Sequence, residues 1–188
     1  FGFRGEALPS IASVSRMVLE TCPGGISEGT RIIVDGGKIR DVSPFGRAQG
    51  TTITLNGLFF NVPARRKFLK SSETEFRHTV NAVTALALAY PKIAIMLSHN
   101  SREVLNLERS DRKQRIETIF GVKFGQDAVF VEGGEDPLQA WGFVGRPEGA
   151  RKSGAQQVLI VNGRWVKHKG ITFAVYDGYG GLLPKGLI

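Results

Sequence analysis

A chain of 188 residues, 41% of them hydrophobic, can bury a core as one large domain or two small ones. No apolar run approaches the ~20 residues of a membrane span, and one cysteine, Cys22, excludes a disulfide within the chain and fits a reducing, intracellular compartment. Twenty-five basic against seventeen acidic residues give net +8, a balance that suits an anionic partner such as nucleic acid, nucleotide or a membrane surface, and equally a plain basic surface.

The chain opens on "FGFRGEALPSIASVS". Gly2 and Gly5 flank Arg4, and Leu8, Ile11 and Ala12 fall on one helical face, with Pro9 in the first turn. "RMVLET" reads as a strand with Cys22 as a small residue at its end. "TRIIVDGGKIRDV" reads as a hairpin about Asp35-Gly36-Gly37, and "GTTITLNGLFF" as a further strand. Ser72 to Glu75 matches a capping box. The helix after it places Phe76, Val80, Val83, Ala87 and Tyr90 on one stripe, and Pro91 ends it.

"KIAIMLSHNSREVLNL" reads as a second hairpin with Asn100-Ser101 at its tip. Asp111 and Gln114 suit another helix cap, followed by Ile116, Ile119 and Phe120 on a buried face and Gly121 at the stop. The polar stretch "ERSDRKQR" puts a domain boundary near residue 110. "AVFVE", "LQAWGFVG" and "QQVLIVN" read as strands, with the linker "RPEGARKSGA" before the last and a turn at Asn162-Gly163 after it. A helix then breaks at Gly180-Gly181. This mixture of hairpins and helices suggests α+β, or α/β with mixed sheets.

Three stretches suit chemistry. A glycine-rich loop running into a helix start can aim free N–H groups at one anion, and a plain loop with a capping glycine fits the same residues. "LFFNVPARRKFLK" interleaves Leu58, Phe59, Phe60, Val62 and Phe68 with Arg65, Arg66, Lys67 and Lys70. It can anchor a loop while its cations face outward, or simply enter a helix with snorkelling basic stems. From Gly145 to Lys169 six cations, Arg146, Arg151, Lys152, Arg164, Lys167 and Lys169, face one carboxylate, Glu148. Such a cluster can neutralise phosphates with strong salt dependence, or be a solvated linker and hairpin tip. His78, His99 and His168 are separated and have no ligand pattern beside them. Glu73/Glu75 and Glu135/Asp136 suit helix starts and turns better than acid–base pairs.

Together, "GFRGEALPSIASVS", "GTTITLNGLFFNVPARRKFL" and "VNGRWV" resemble, in order and spacing, the N-terminal ATPase region of the MutL family of DNA mismatch-repair proteins, a branch of the GHKL ATPases. The resemblance runs through nearly the whole chain. It implies an α+β fold: the C-terminal part of a GHKL (Bergerat) ATPase α/β sandwich over 1–109, and a ribosomal-protein-like β-α-β second domain over 110–188. It places Gly2, Phe3, Arg4, Gly5, Glu6, Ala7 and Leu8 at an ATP lid whose N–H groups wrap the phosphates. It places Thr51, and less directly Thr52, on the adenine side. It makes Arg164, Lys167 and Lys169, with Arg146 and Lys152, DNA contacts.

The resemblance also implies ATP and Mg2+ as cofactors. As partners it implies DNA, a second N-terminal region as homodimer or paralogue heterodimer, and the mismatch-recognition protein MutS. The location implied is cytoplasm or nucleoid, with no membrane. The family's catalytic Glu and Mg-binding Asn are expected ahead of Phe1, as is its D-N-G-x-G Asp, and its H-P-x-K Lys just past Ile188. The 188 residues alone are then expected not to hydrolyse ATP. Rival expectations are another GHKL enzyme, such as a type II topoisomerase subunit, and a non-enzymatic basic nucleic-acid-binding module.

Overall fold

The computed structural model describes residues 5–152, 154–183 and 186. The chain divides into two compact units, Phe1–Glu75 and Phe76–Ile188. Helices and strands are mixed, and every strand pairing among the described residues is antiparallel, which is an α+β arrangement.

In the first unit, α1 (Ala7–Ala12) precedes a four-stranded sheet of β1 (Arg16–Cys22), β2 (Glu28–Asp35), β3 (Lys38–Gly46) and β4 (Gly50–Asn56), in the order β3-β2-β1-β4. β2 and β3 meet at Asp35↔Lys38, so Gly36-Gly37 form a two-residue turn. Both have positive φ, 55° and 85°, which suits glycine and the mirror-image turns that match strand twist. Ala12, Met17 and Val34 bury a small core between α1 and the sheet, with Ile32 against it. Burying each large apolar side chain there contributes about 1.5–3 kcal/mol. Leu8, on the same helical face, stays 40% exposed. Cys22 is buried at the end of β1, its thiol directed at the carbonyls of Pro23 and Ile26.

The strand expected to run through "GLFF" ends at Asn56. Gly57 and Phe59 take positive φ, 59° and 61°, and turn the chain out of the ladder. Pro63 then opens α2 (Pro63–Lys67), where its missing N–H costs no helical bond.

α3 (Ser72–Ala89) is capped one residue earlier than the pattern predicted. Ser71 Oγ accepts from the Thr74 N–H at 3.3 Å, and Glu75 Oε1 accepts from the Lys70 N–H at 2.9 Å. Ser72 is already helical, so the residue in front of it does the capping. On the second unit's part of this helix the side chains that become fully buried are Ala85 and Ala87.

β5 (Ile95–His99) and β6 (Arg102–Leu107) form the second hairpin, with Asn100 and Ser101 at φ 50° and 60°. α4 (Arg112–Phe120) is capped as expected, Asp111 Oδ1 accepting from the Gln114 N–H at 2.8 Å, and α5 (Val122–Asp127) follows. The buried residue of α4 differs from expectation. Ile116, Ile119 and Phe120 are half-buried, and Arg115 is 1% exposed. The chain continues through β7 (Val129–Glu135) and β8 (Leu138–Val144), then β9 (Leu159–Val161) and β10 (Arg164–Val166), to α6 (Lys169–Gly178).

Candidate nucleotide and nucleic-acid sites

Of the expected lid, Gly2, Phe3 and Arg4 lie outside the described residues. Gly5 and Glu6 form an exposed turn, and Ala7 and Leu8 begin α1. Glu6 occupies the N-cap position, and its side chain caps none of the first-turn N–H groups. The first helical bond runs from the Ser10 N–H to Glu6 O, at 3.0 Å. Open N–H groups at a helix start favour an anion. Among the described residues, a Cβ built on Gly5 meets nothing within 4 Å.

The opposite end of α1 is held by the two other first-unit features. At the hairpin tip, the Gly37 N–H donates to Ala12 O at 2.9 Å and the Gly36 N–H to Ser15 O at 3.1 Å. From "LFFNVP", the Phe59 N–H donates to Val14 O at 2.7 Å, and Asn61 Nδ2 donates to Ser13 O at 2.9 Å. Arg16 lies 4.7 Å from the Phe60 ring centroid. Four hydrogen bonds thus converge on residues 12–15. The sequence left "LFFNVP" open as an anchor or a plain helix entry and did not show what it would anchor, since a contact between residues 13 and 61 leaves no trace in either local pattern. The cations that follow, Arg65, Arg66, Lys67 and Lys70, are exposed, and the first three sit in the last turn of α2, where the helix dipole favours them.

Thr51 lies on β4 opposite Thr21 of β1, and their hydroxyls are 2.8 Å apart. Thr52 sits next along, opposite Glu20. Thr51 is exposed and bonds to Thr21 rather than to the Gly5–Leu8 turn.

The expected DNA-contacting residues all fall in the second unit and are all exposed. Arg146 precedes a short 3-10 turn, Pro147–Gly149, and Lys152 follows it. Arg164 begins β10, Lys167 lies in the next loop and Lys169 opens α6. The Lys167 ammonium is 5.1 Å from the Trp165 ring centroid. Lys169 stands at the positive end of the α6 dipole, a placement that costs about 0.3–1 kcal/mol at low salt. A nearby phosphate reverses the sign of that cost.

Three residues to which the sequence reading gave no role at this surface shape it. Tyr90 Oη donates to Gly163 O at 3.1 Å and braces the Asn162-Gly163 turn from beneath. His168 Nδ1 accepts from the Ile171 N–H at 3.2 Å and caps α6. Tyr179 Oη donates to Gly145 O at 2.7 Å, tying the end of α6 to the residue before Arg146. Desolvation pushes the Tyr179 hydroxyl above its ordinary pKa. Among the described residues no three His, Cys, Asp or Glu side chains group so as to hold a metal, and no helix is long and apolar enough to cross a membrane.

Comparison with known proteins gives one consistent picture. The family described as "DNA mismatch repair protein, C-terminal domain" matches residues 116–188. The DNA mismatch repair protein MutL of Parabacteroides distasonis is 42% identical over 185 residues, which is 98% of this chain and 30% of that protein. The MutL of Lactiplantibacillus plantarum is 44% identical over 186 residues, 98% of this chain and 27% of that protein. The chain therefore spans about 30% of the length of these curated relatives. Among solved structures, the Aquifex aeolicus MutL ATPase domain complexed with ADP superposes with a TM-score of 0.76 at 30% identity, over 92% of this chain and 67% of that one. The crystal structure titled the N terminal domain of a DNA repair protein gives a TM-score of 0.77 over 97% of this chain and 62% of that one; at 21% identity it supports the fold alone. Carrying the family's motif stretches, its sequence likeness end to end and the fold of its GHKL ATPase domain, this chain belongs to the MutL family of DNA mismatch-repair proteins.

Proposed function

We propose that the protein containing this chain is a MutL-type mismatch-repair switch that binds and hydrolyses ATP and holds DNA. The observation that carries the reading is the likeness of 92% of the chain to the Aquifex MutL ATPase domain complexed with ADP. On this reading the Gly2–Leu8 stretch closes over the nucleotide phosphates, with Gly5 giving the backbone close approach and the first-turn N–H groups of α1 supplying donors. The hydrogen bonds on residues 12–15 hold the far end of α1 fixed, so that only its N-terminal turn adjusts. Thr51 lies on the adenine side. Ordering of the lid on ATP binding is the switch, and it favours pairing of two N-terminal regions, as homodimer or paralogue heterodimer. Arg164, Lys167, Lys169, Arg146 and Lys152 contact the DNA backbone, and MutS is the upstream partner. Functionally, 1–109 acts as lid and distal ATPase domain and 110–188 as the DNA-contacting second domain, in the cytoplasm or nucleoid.

Mg2+ is ordinarily held by one or two protein oxygens together with waters and substrate phosphates. Hydrolysis requires a base to activate water and a ligand to hold the metal, and neither role is assigned to a residue of this chain. The test is a pair of turnover measurements. The full-length protein is expected to hydrolyse ATP with Mg2+, and the isolated 188 residues are not. A full-length protein that binds no nucleotide would instead support a non-enzymatic basic module.

A further inference from the structure

Beneath α4, in the second unit, lies an open cavity of about 190 Å³ lined by Asn106, Leu107, Glu108, Arg109, Ser110, Gln114, Arg115 and Thr118. It belongs to neither the lid nor the basic surface. Its centre of charge is Arg115, which is 1% exposed. Arg115 Nη2 donates to the carbonyls of Pro91 at 2.8 Å, Ile93 at 3.0 Å and Glu108 at 2.6 Å, joining α4 to both ends of the β5–β6 hairpin. Its other two nitrogens, Nε and Nη1, are buried without a hydrogen-bond partner, and so is the Oγ of Ser110 on the same cavity wall. Ser110 stands close by, because its backbone N–H donates to Pro91 O, the carbonyl that Arg115 also uses.

A buried guanidinium is ordinarily paired with a carboxylate. Among the described residues no ion pair is made by Arg115. The three carbonyls satisfy one nitrogen and neutralise no charge. Burial without a counter-ion pushes Arg115 below its ordinary pKa, yet an arginine does not lose its proton in a protein. The remaining route to compensation is an anion from outside. The cavity has room for one, since at ~30 Å³ per water it is equivalent to roughly six waters. Gln114 and Thr118 add polar groups from α4, and Arg109 adds a second cation on the lining. The three unpartnered N–H groups, one on Nε and two on Nη1, and the Ser110 hydroxyl have no accessible surface of their own, and a small shift of the Arg115 and Ser110 side chains brings them to a tetrahedral oxyanion in the cavity.

We propose that the Arg115 cavity is a binding site for a phosphate oxyanion, free or as a backbone phosphate of bound DNA. The test is differential scanning of the full-length protein in sodium phosphate and in sodium chloride at matched ionic strength, with 31P NMR line broadening as a direct readout. Phosphate is expected to raise Tm by a few degrees over chloride. Gln114→Glu, on the exposed side of the cavity, and Ser110→Asp each place a carboxylate beside the guanidinium. Each is expected to weaken phosphate binding at least about tenfold, and Ser110→Asp to raise Tm in chloride. Arg115→Lys is a third variant; if it fails to fold, the other two decide the matter.

Titration with a short DNA duplex separates the two sources. If the occupant is a DNA phosphate, Gln114→Glu lowers duplex affinity and reduces the salt slope by about one. If it is free phosphate, duplex binding is unchanged while the phosphate response is lost. Equal Tm in phosphate and chloride for the unmodified protein, or a phosphate response undiminished in both carboxylate variants, overturns the site. The outcome does not depend on the ATPase reading, because none of these variants touches the lid or Thr51.

Discussion

Gly163→Ala isolates the brace beneath the basic surface. Gly163 sits at φ 75°, and a Cβ there would collide with Tyr90 Oη. The left-handed backbone alone costs an alanine about 1–2 kcal/mol. Relieving the collision requires the tyrosine to move, which sacrifices its 3.1 Å bond to Gly163 O, worth about 1 kcal/mol. The single variant should therefore lose about 2–3 kcal/mol, or about 5–10 °C in Tm for a chain of this size. In a Tyr90→Phe background the hydroxyl is gone and the next nearest ring atom lies 3.3 Å from the new Cβ, a contact that a small shift relieves. The same Gly163→Ala change should then cost only the backbone term. Thermal or urea melts of the four proteins give the coupling, expected near 1 kcal/mol. Equal cost in both backgrounds would refute the claim that Tyr90 and Gly163 form one device.

Ser71→Ala should destabilise α3 by about 1 kcal/mol while Ser72→Ala leaves stability nearly unchanged, read by melts of both variants; the reverse order would restore the capping box that the sequence suggested. Charge reversal at Arg164 and Lys167, to Glu, in the full-length protein should weaken DNA binding at every sequence and reduce the salt slope by about two; an unchanged slope removes these residues from the interface. Tyr179 gives a pH signature. Its folded pKa lies above its unfolded value, so its contribution is fully present below about pH 10 and is lost as pH rises through the folded pKa. Tyr179→Phe should flatten the alkaline loss of stability, and a pH–stability curve that keeps its slope above pH 10 would contradict this.

Much of the architecture was legible in local pattern. The Gly36-Gly37 and Asn100-Ser101 turns and the Asp111 cap each depend on residues a few positions apart, and each forms where the sequence places it. The family was legible for a related reason, because its motif stretches are contiguous. What escaped was tertiary. Ser71 overtook Ser72 because the helix began one residue earlier than the pattern assumed. "GLFF" left the strand because Phe59 is drawn to Val14 O. A helix with apolar residues at 116, 119 and 120 instead buried Arg115, because three carbonyls from the chain around the β5–β6 hairpin were there to receive it. The roles of Tyr90, Tyr179 and Asn61 likewise depend on partners 34 to 73 residues away, which no local window includes.

The central claim is that the turn around Gly5 admits a nucleotide phosphate. Gly5→Ala tests it most directly, because a methyl group there meets nothing within 4 Å among the described residues. Any effect on ligand binding therefore reports on the ligand's approach. Nucleotide titration of the full-length protein should show Tm unchanged without nucleotide and ATP affinity reduced by about tenfold or more, corresponding to at least about 1.4 kcal/mol of lost binding. ATP affinity equal to that of the unmodified protein, at equal Tm, would contradict the account.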